Sequence, residues 1–284
     1  MRAPGGTLVP MSELRTPSRD GRPVTALDDG AGPALLVVHP GGGDATSWDG
    51  VTAHLTGDHR VVRIHRRLYA PGAAPVLPHT MAVEAADVLA VAGLLEPPVV
   101  LVGHSSGAVA ALEAARLAPT AFAGLVLYEP PLPTRELVAG AAGARARAAI
   151  EAGDPVEAMR IHLRDIVRVP GHLVDGMLAD PHLRSLVCAH AAAQIADDEA
   201  LDALGVGTGR YAALAVPTTL IEGDLSPAHL RERLADLAAV LPDARTVTLT
   251  GQGHAAHLTA PHTLAAAVRD AAAGILAPGA AGGR

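Results

Sequence analysis

Short runs of β-branched and other apolar residues alternate along the chain with longer Ala- and Leu-rich stretches in which apolar positions recur every three to four residues. The short runs, at 24–27, 34–38, 61–65, 99–102, 125–128, 218–222 and 246–249, predict strands. Most are apolar throughout, as strands buried on both faces must be. Helices are predicted between them at 44–55, 80–95, 106–117, 228–241 and 261–276, several closed by Pro or Gly. This is the pattern of a parallel sheet covered by helices, and the fold class expected is α/β. The rhythm breaks once: from 133 to about 215 only helical segments are predicted, at 137–152, 155–167, 171–178 and 183–195. The expected organisation is therefore a core made of 23–132 and 216–277 with a helical cap, 133–215, inserted into it. A Pro-, Gly- and Arg-rich segment, 1–22, and a small-residue tail, 278–284, are expected to be loose.

At 284 residues, 49% hydrophobic and 18% charged, the chain fits one domain with a sizeable core, and no apolar run reaches the roughly 18 residues that span a bilayer. No membrane partner is expected. All 22 basic residues are arginine, so Schiff-base chemistry, a pyridoxal phosphate site and a phosphate-loop lysine are excluded. A net charge of −7 and only Trp48, Phe122, Tyr69, Tyr128 and Tyr211 as aromatics provide neither a basic field nor a stacking platform, which argues against nucleic acid. Cys188 stands alone, so there is no internal disulfide and no multi-cysteine metal site. With no long apolar leader at the start of the chain, a reducing cytoplasm is the expected compartment.

The chemistry concentrates after the run 99–102. There Gly103-His104-Ser105-Ser106-Gly107 is followed by the helical AVAALEAARLA, which is GxSxG in the order strand, sharp turn, helix. Flanking glycines let the chain turn and the helix approach the sheet, leaving the Ser105 hydroxyl at a helix N-terminus where developing negative charge is favoured. Ser106 is the rival nucleophile by proximity, but its backbone N–H is better placed as a donor to an oxyanion.

HPGGG followed by Trp48-Asp49, GHSSGAVAALEAA, LVLYEPP and a late Gly-Gln-Gly-His together resemble the α/β-hydrolase superfamily over residues 34–268, and the GHSSG and YEPP pair resembles a bacterial group within it. The resemblance implies an α/β-hydrolase fold with an inserted cap, and the chain order serine, acid, histidine. It implies that His254, in Gly251-Gln252-Gly253-His254, is the general base, with His257 its only close competitor. The acid position is divided. The superfamily's frequent site, the last residue of G-x-x-D, is Ser226 here, leaving Asp224 in the same loop and Glu129 in Tyr128-Glu129-Pro130-Pro131 as candidates. The YEPP resemblance favours Glu129. His39-Pro40-Gly41-Gly42-Gly43 resembles the family's oxyanion loop, which implies that Gly41 or Gly42 supplies one oxyanion amide and Ser106 the other.

No organic cofactor or metal is called for by this set, and the partner expected is a small-molecule acyl substrate, free or carrier-bound. A basic run, Arg63-Ile64-His65-Arg66-Arg67, is expected either to be a solvated loop or to meet an anionic group of the substrate or carrier. Ester or thioester hydrolysis through an acyl-enzyme is the leading expectation. A non-hydrolytic lyase or cyclase and a catalytically silent binding protein remain open on the same scaffold.

Overall fold

The computed structural model describes residues 12–72 and 77–277. Eight strands form one sheet: β1 (Ser12–Pro17), β2 (Pro23–Gly30), β3 (Ala34–Val38), β4 (Arg60–Ile64), β5 (Val99–His104), β6 (Gly124–Tyr128), β7 (Thr218–Gly223) and β8 (Ala244–Leu249). Their order is β1-β2-β4-β3-β5-β6-β7-β8, antiparallel at the first two pairings and parallel through the rest. Side chains of a strand alternate between faces, and both faces are covered. In β3, Leu36 and Val38 enter one core while Leu35 and Val37 enter the other, and Leu101 of β5 opposes Val100 and Val102 in the same way. That double burial is why these runs are apolar throughout.

The helices are α1 (Asp49–Thr52), α2 (Met81–Ala92), α3 (Ser106–Leu117), α4 (Gly140–Glu151), α5 (Pro155–Ile161), α6 (Gly171–Ala179), α7 (Pro181–Cys188), α8 (Ala191–Asp202), α9 (Ala228–Ala238), α10 (Ala256–Thr259) and α11 (Pro261–Leu276). α2, α3 and α9 cover one face of the sheet, and α1 and α11 the other. α4 to α8 lie between β6 and β7 and form a helical insertion. Asp202 ties this insertion together: its carboxylate accepts the N–H groups of Val138, Ala139 and Gly140 at 2.6, 3.1 and 2.7 Å. Those amides precede or open α4 and have no acceptor inside it. Among the described residues no helix is long and apolar enough to cross a membrane.

Three sequence expectations need correction. Ser12–Pro17, placed in a loose N-terminal segment, is edge strand β1, paired residue by residue with β2. Its side chains are mostly exposed, so backbone pairing holds it and no apolar alternation announces it. The helix expected at 44–55 is a 3₁₀ turn, Ala45–Trp48, followed by the four residues of α1. The segment 183–195 is not one helix, because the chain breaks at His190 between α7 and α8. Residues 1–11 and 278–284, also expected to be loose, lie outside the described residues.

Candidate active site

β5 runs into α3 through Ser105, whose φ of 53° and ψ of −130° make the sharp turn. A non-glycine residue in this region is strained and persists only where its surroundings fix it. Here the Ser105 N–H donates to the Tyr128 carbonyl at 2.9 Å, and its carbonyl accepts the Ala108 N–H at 2.8 Å. Two glycines make the turn possible. A Cβ at Gly103 would collide with the Ala108 backbone, and one at Gly107 with the carbonyls of Val38 and His39. The Ser105 side chain is thereby held at the end of the sheet, half-buried and facing a cavity of about 440 Å³.

His254, after β8, stands 3.1 Å from the Ser105 Oγ through Nε2. Its Nδ1 lies 2.6 Å from Oε2 of Glu129, which follows β6 and is completely buried. Glu129 has a φ of 45°, although residues before proline favour extended backbone. Its N–H donates to the Ile221 carbonyl at 3.1 Å, and its Oε1 accepts the Gly223 N–H at 2.8 Å. The carboxylate is thus held at both oxygens.

The loop carrying His254 is gripped from below. His104, fully buried and stacked on Tyr128 at a centroid distance of 4.5 Å, has its Nε2 3.0 Å from the His254 carbonyl. Burial, helped by the neighbouring His257 and His254, holds the His104 pKa well below the usual histidine range, so the neutral ring donates through Nε2–H. The Tyr128 hydroxyl donates to the Gly253 carbonyl. In the sequence, His104 and Tyr128 stand only as motif positions, and nothing local signals that they meet beneath the histidine loop.

Asp224, the other acid candidate, is exposed and points elsewhere: its Oδ1 accepts the Gly251 N–H at 2.7 Å. The geometry brings Glu129, not Asp224, to His254. Ser226, where the frequent acid would stand, is buried with only 4% exposure. His257 packs edge-on against His104 at 4.6 Å rather than beside Ser105.

Gly41, Gly42 and Ser106 all line the cavity. Gly42 adopts a φ of 78°, and a Cβ at Gly41 would collide with Gln194 Oε1 on α8. Ser106 is the first residue of α3, so its amide has no acceptor within the helix. Its side chain has another task. The Ser106 Oγ donates to Asp197 Oδ2 at 2.6 Å and accepts from Arg66 Nη1 at 2.9 Å. Arg66, fully buried, also pairs with Asp197 at 2.7 Å and with Glu84 at 3.1 Å, and Tyr69 donates its hydroxyl to Asp197 at 2.9 Å.

This overturns both expectations for the basic run. Arg63 is paired with Asp29 and Asp49, and Arg67 with Asp20 and Asp87, so none of the three is a free cation. Arg66 fastens α8 to Ser106, the residue after the sharp turn at Ser105. Arg66→Met would leave Glu84 and Asp197 buried without their cation, and is expected to destabilise the fold by about 3 to 5 kcal/mol, read as a lowered urea midpoint.

His39 Nδ1–H donates to the Pro40 carbonyl at 2.7 Å, and its Nε2 faces the Arg66 N–H at 3.4 Å, an arrangement that needs the neutral ring. Burial foremost, then the Arg66 charge, pushes its pKa down to about 3, and burial pushes His257 down to about 4. In the unfolded chain both titrate near 6.5, so below that pH the unfolded state binds more protons. Stability is full above pH 6.5 and is lost as the pH falls towards 4. Melting curves from pH 7.5 to 4.5 should show a loss of roughly 3 kcal/mol by pH 5.5, and a flat profile would contradict the neutral assignments.

Among known sequences, the model of the Alpha/beta hydrolase family matches residues 35–267. No curated protein matches the chain. Of the solved structures it is similar to, an alpha/beta hydrolase from Sphaerobacter thermophilus has 25% identity and a TM-score of 0.78, over 91% of this chain and 99% of that one. A thermophilic esterase from Thermogutta terrifontis has 20% identity and a TM-score of 0.72, over 93% and 99%. The thioesterase domain from the curacin biosynthetic pathway has 22% identity and a TM-score of 0.66, over 92% and 99%. At these last two identities the likeness is one of fold. With the family's match spanning the turn at Ser105 and the loop of His254, the chain belongs to the α/β-hydrolase family.

Proposed function

We propose that this protein is a serine hydrolase that cleaves a small to medium ester or thioester through an acyl-enzyme. The observation that carries the reading is the continuous chain from Ser105 Oγ to His254 Nε2, 3.1 Å, and from His254 Nδ1 to Glu129 Oε2, 2.6 Å, opening on a cavity. In this mechanism His254 takes the Ser105 proton as Oγ attacks the acyl carbon, then returns it to the leaving oxygen or sulfur. Glu129 holds Nδ1–H, which leaves Nε2 as the base and balances the imidazolium that forms. The amides of Ser106 and of Gly41 or Gly42 receive the oxyanion, each worth about 3 kcal/mol of barrier. Water then repeats the cycle on the acyl-enzyme.

Residues 133–215 serve as the cap that bounds the substrate cavity, since Met159, Leu163, Val187 and Leu201 of this segment line it together with Ser105. A free or carrier-bound acyl group is the substrate class, and the cytoplasm is the compartment we assign. The test is labelling with a fluorophosphonate followed by peptide mapping, alongside turnover of short ester and thioester substrates. Modification at Ser105 with turnover supports the reading. Modification without turnover of any ester or thioester would move the protein to lyase or cyclase chemistry, and no modification to a binding role.

A further inference from the structure

A second histidine–carboxylate pair lines the same cavity on the side of the helical insertion, and the acyl-transfer steps above do not use it. His162 opens a single π turn, His162–Ile166, at the end of α5. Single π turns of this kind are frequent at functional sites. The His162 Nδ1 lies 2.7 Å from Asp198 Oδ2 on α8, and the two side chains are 10% and 3% exposed. The other Asp198 oxygen accepts from Gln194 Nε2 at 3.2 Å, which holds the carboxylate from α8 as well. The imidazole is therefore fixed from behind.

What remains is Nε2. It has no hydrogen-bond partner among the described residues, on a ring that is nine-tenths buried and part of the cavity wall. The wall around it is built largely of apolar side chains, among them Val138, Met159, Leu163, Leu201 and Leu230. Nε2 opens onto the cavity, so an apolar occupant that covers it would cost free energy that a hydrogen-bonding occupant does not.

We propose that His162, backed by Asp198 and Gln194, is a polar subsite that receives a hydroxyl group carried by the chain of an otherwise apolar ester substrate. This rests on the hydrolase reading above. The local charges select the hydroxyl. Behind the subsite, Asp197 and Asp198 are neighbouring buried carboxylates, and the guanidinium of Arg66 that pairs with Asp197 is shared with Glu84. A substrate carboxylate placed there would meet a surplus of negative charge. A hydroxyl both donates and accepts, so it pairs with Nε2 whether that atom bears a lone pair or a proton. The cations that line the cavity elsewhere are engaged: Arg168 pairs with Glu136 at 3.1 Å, and Arg233 donates to the carbonyls of Leu132, Glu136 and Leu137.

The experiment compares ethyl hexanoate, its 3-, 5- and 6-hydroxy derivatives and monoethyl adipate on the wild-type protein, His162→Leu and His162→Asn. At least one hydroxy ester should exceed the hexanoate in kcat/KM by about ten-fold, the worth of one well-made hydrogen bond. His162→Leu should lower kcat/KM on that ester about ten-fold more than on the hexanoate, chiefly through KM, and His162→Asn should restore part of the difference. Equal kcat/KM across the wild-type panel, equal losses on both esters in the variants, or preference for the adipate would overturn the proposal. If no ester turns over, the hydrolase reading falls. The hydroxyl preference is then read from calorimetric binding of the same esters to the wild type, where equal affinities would overturn it.

Discussion

Ser105→Ala is expected to lower kcat on any ester the protein cleaves by at least about 10³-fold, because no other side chain takes over the nucleophile's role. The folded state should hardly change. Ser105 Oγ has His254 as its only side-chain partner among the described residues, and alanine occupies the strained backbone at 53° no worse than serine does. Thermal unfolding within about 1 kcal/mol of wild type is therefore the companion expectation. Ser106→Ala provides the contrast. Its hydroxyl is buried between Asp197 and Arg66 and cannot be released to attack a substrate, so the variant should keep measurable turnover and lose stability instead. Turnover above a few per cent of wild type in Ser105→Ala would remove the acyl-enzyme mechanism. A Ser106→Ala variant that is stable and inactive would exchange the two roles.

The part of this arrangement that sequence reveals is the part written in local pattern. β3, α3 and α11 fall on the expected residues because each combines an unbroken apolar run or stripe with a clear start. The turn that carries Ser105 is legible for the same reason, since a turn between strand and helix demands small residues at fixed offsets, whereas His254 stands out only through the family resemblance of its loop. β1 was not legible, because an exposed edge strand needs no apolar face. The basic run is ambiguous in sequence because charge alone does not say whether a partner waits inside: Arg66 finds Asp197, distant in sequence, only when α8 closes over the turn at Ser105. In hindsight α8 carries a trace. Gln194, Asp197, Asp198 and Leu201 recur at helical spacing, and all four are buried, so polar residues occupy the helix's inner face. A stripe of that kind predicts a buried polar network but not its partners.

The acid was the residue that sequence left divided, and its replacement should have the second large effect. In Glu129→Gln the new side chain keeps the size of the old one, and the Gly223 N–H, 2.8 Å from Oε1, will hold the amide oxygen on its own side. The amide NH₂ is then forced into the position of Oε2, against His254 Nδ1. It can only donate there. That bond requires Nδ1 to be unprotonated, which puts the proton on Nε2 and removes the lone pair that must receive the Ser105 proton. Loss of the negative charge adds to this, since the imidazolium formed during attack is no longer balanced. A fall in kcat on the order of 10³ to 10⁴ with little change in KM is expected, because the variant alters the base and leaves the cavity wall untouched. Asp224→Asn should be mild, within about two-fold, since an asparagine oxygen accepts the Gly251 N–H as the carboxylate does. Parallel kcat and KM measurements on the two variants decide the matter: a larger loss in Asp224→Asn than in Glu129→Gln would transfer the orienting role to Asp224, against the 2.6 Å contact on which the Glu129 assignment stands.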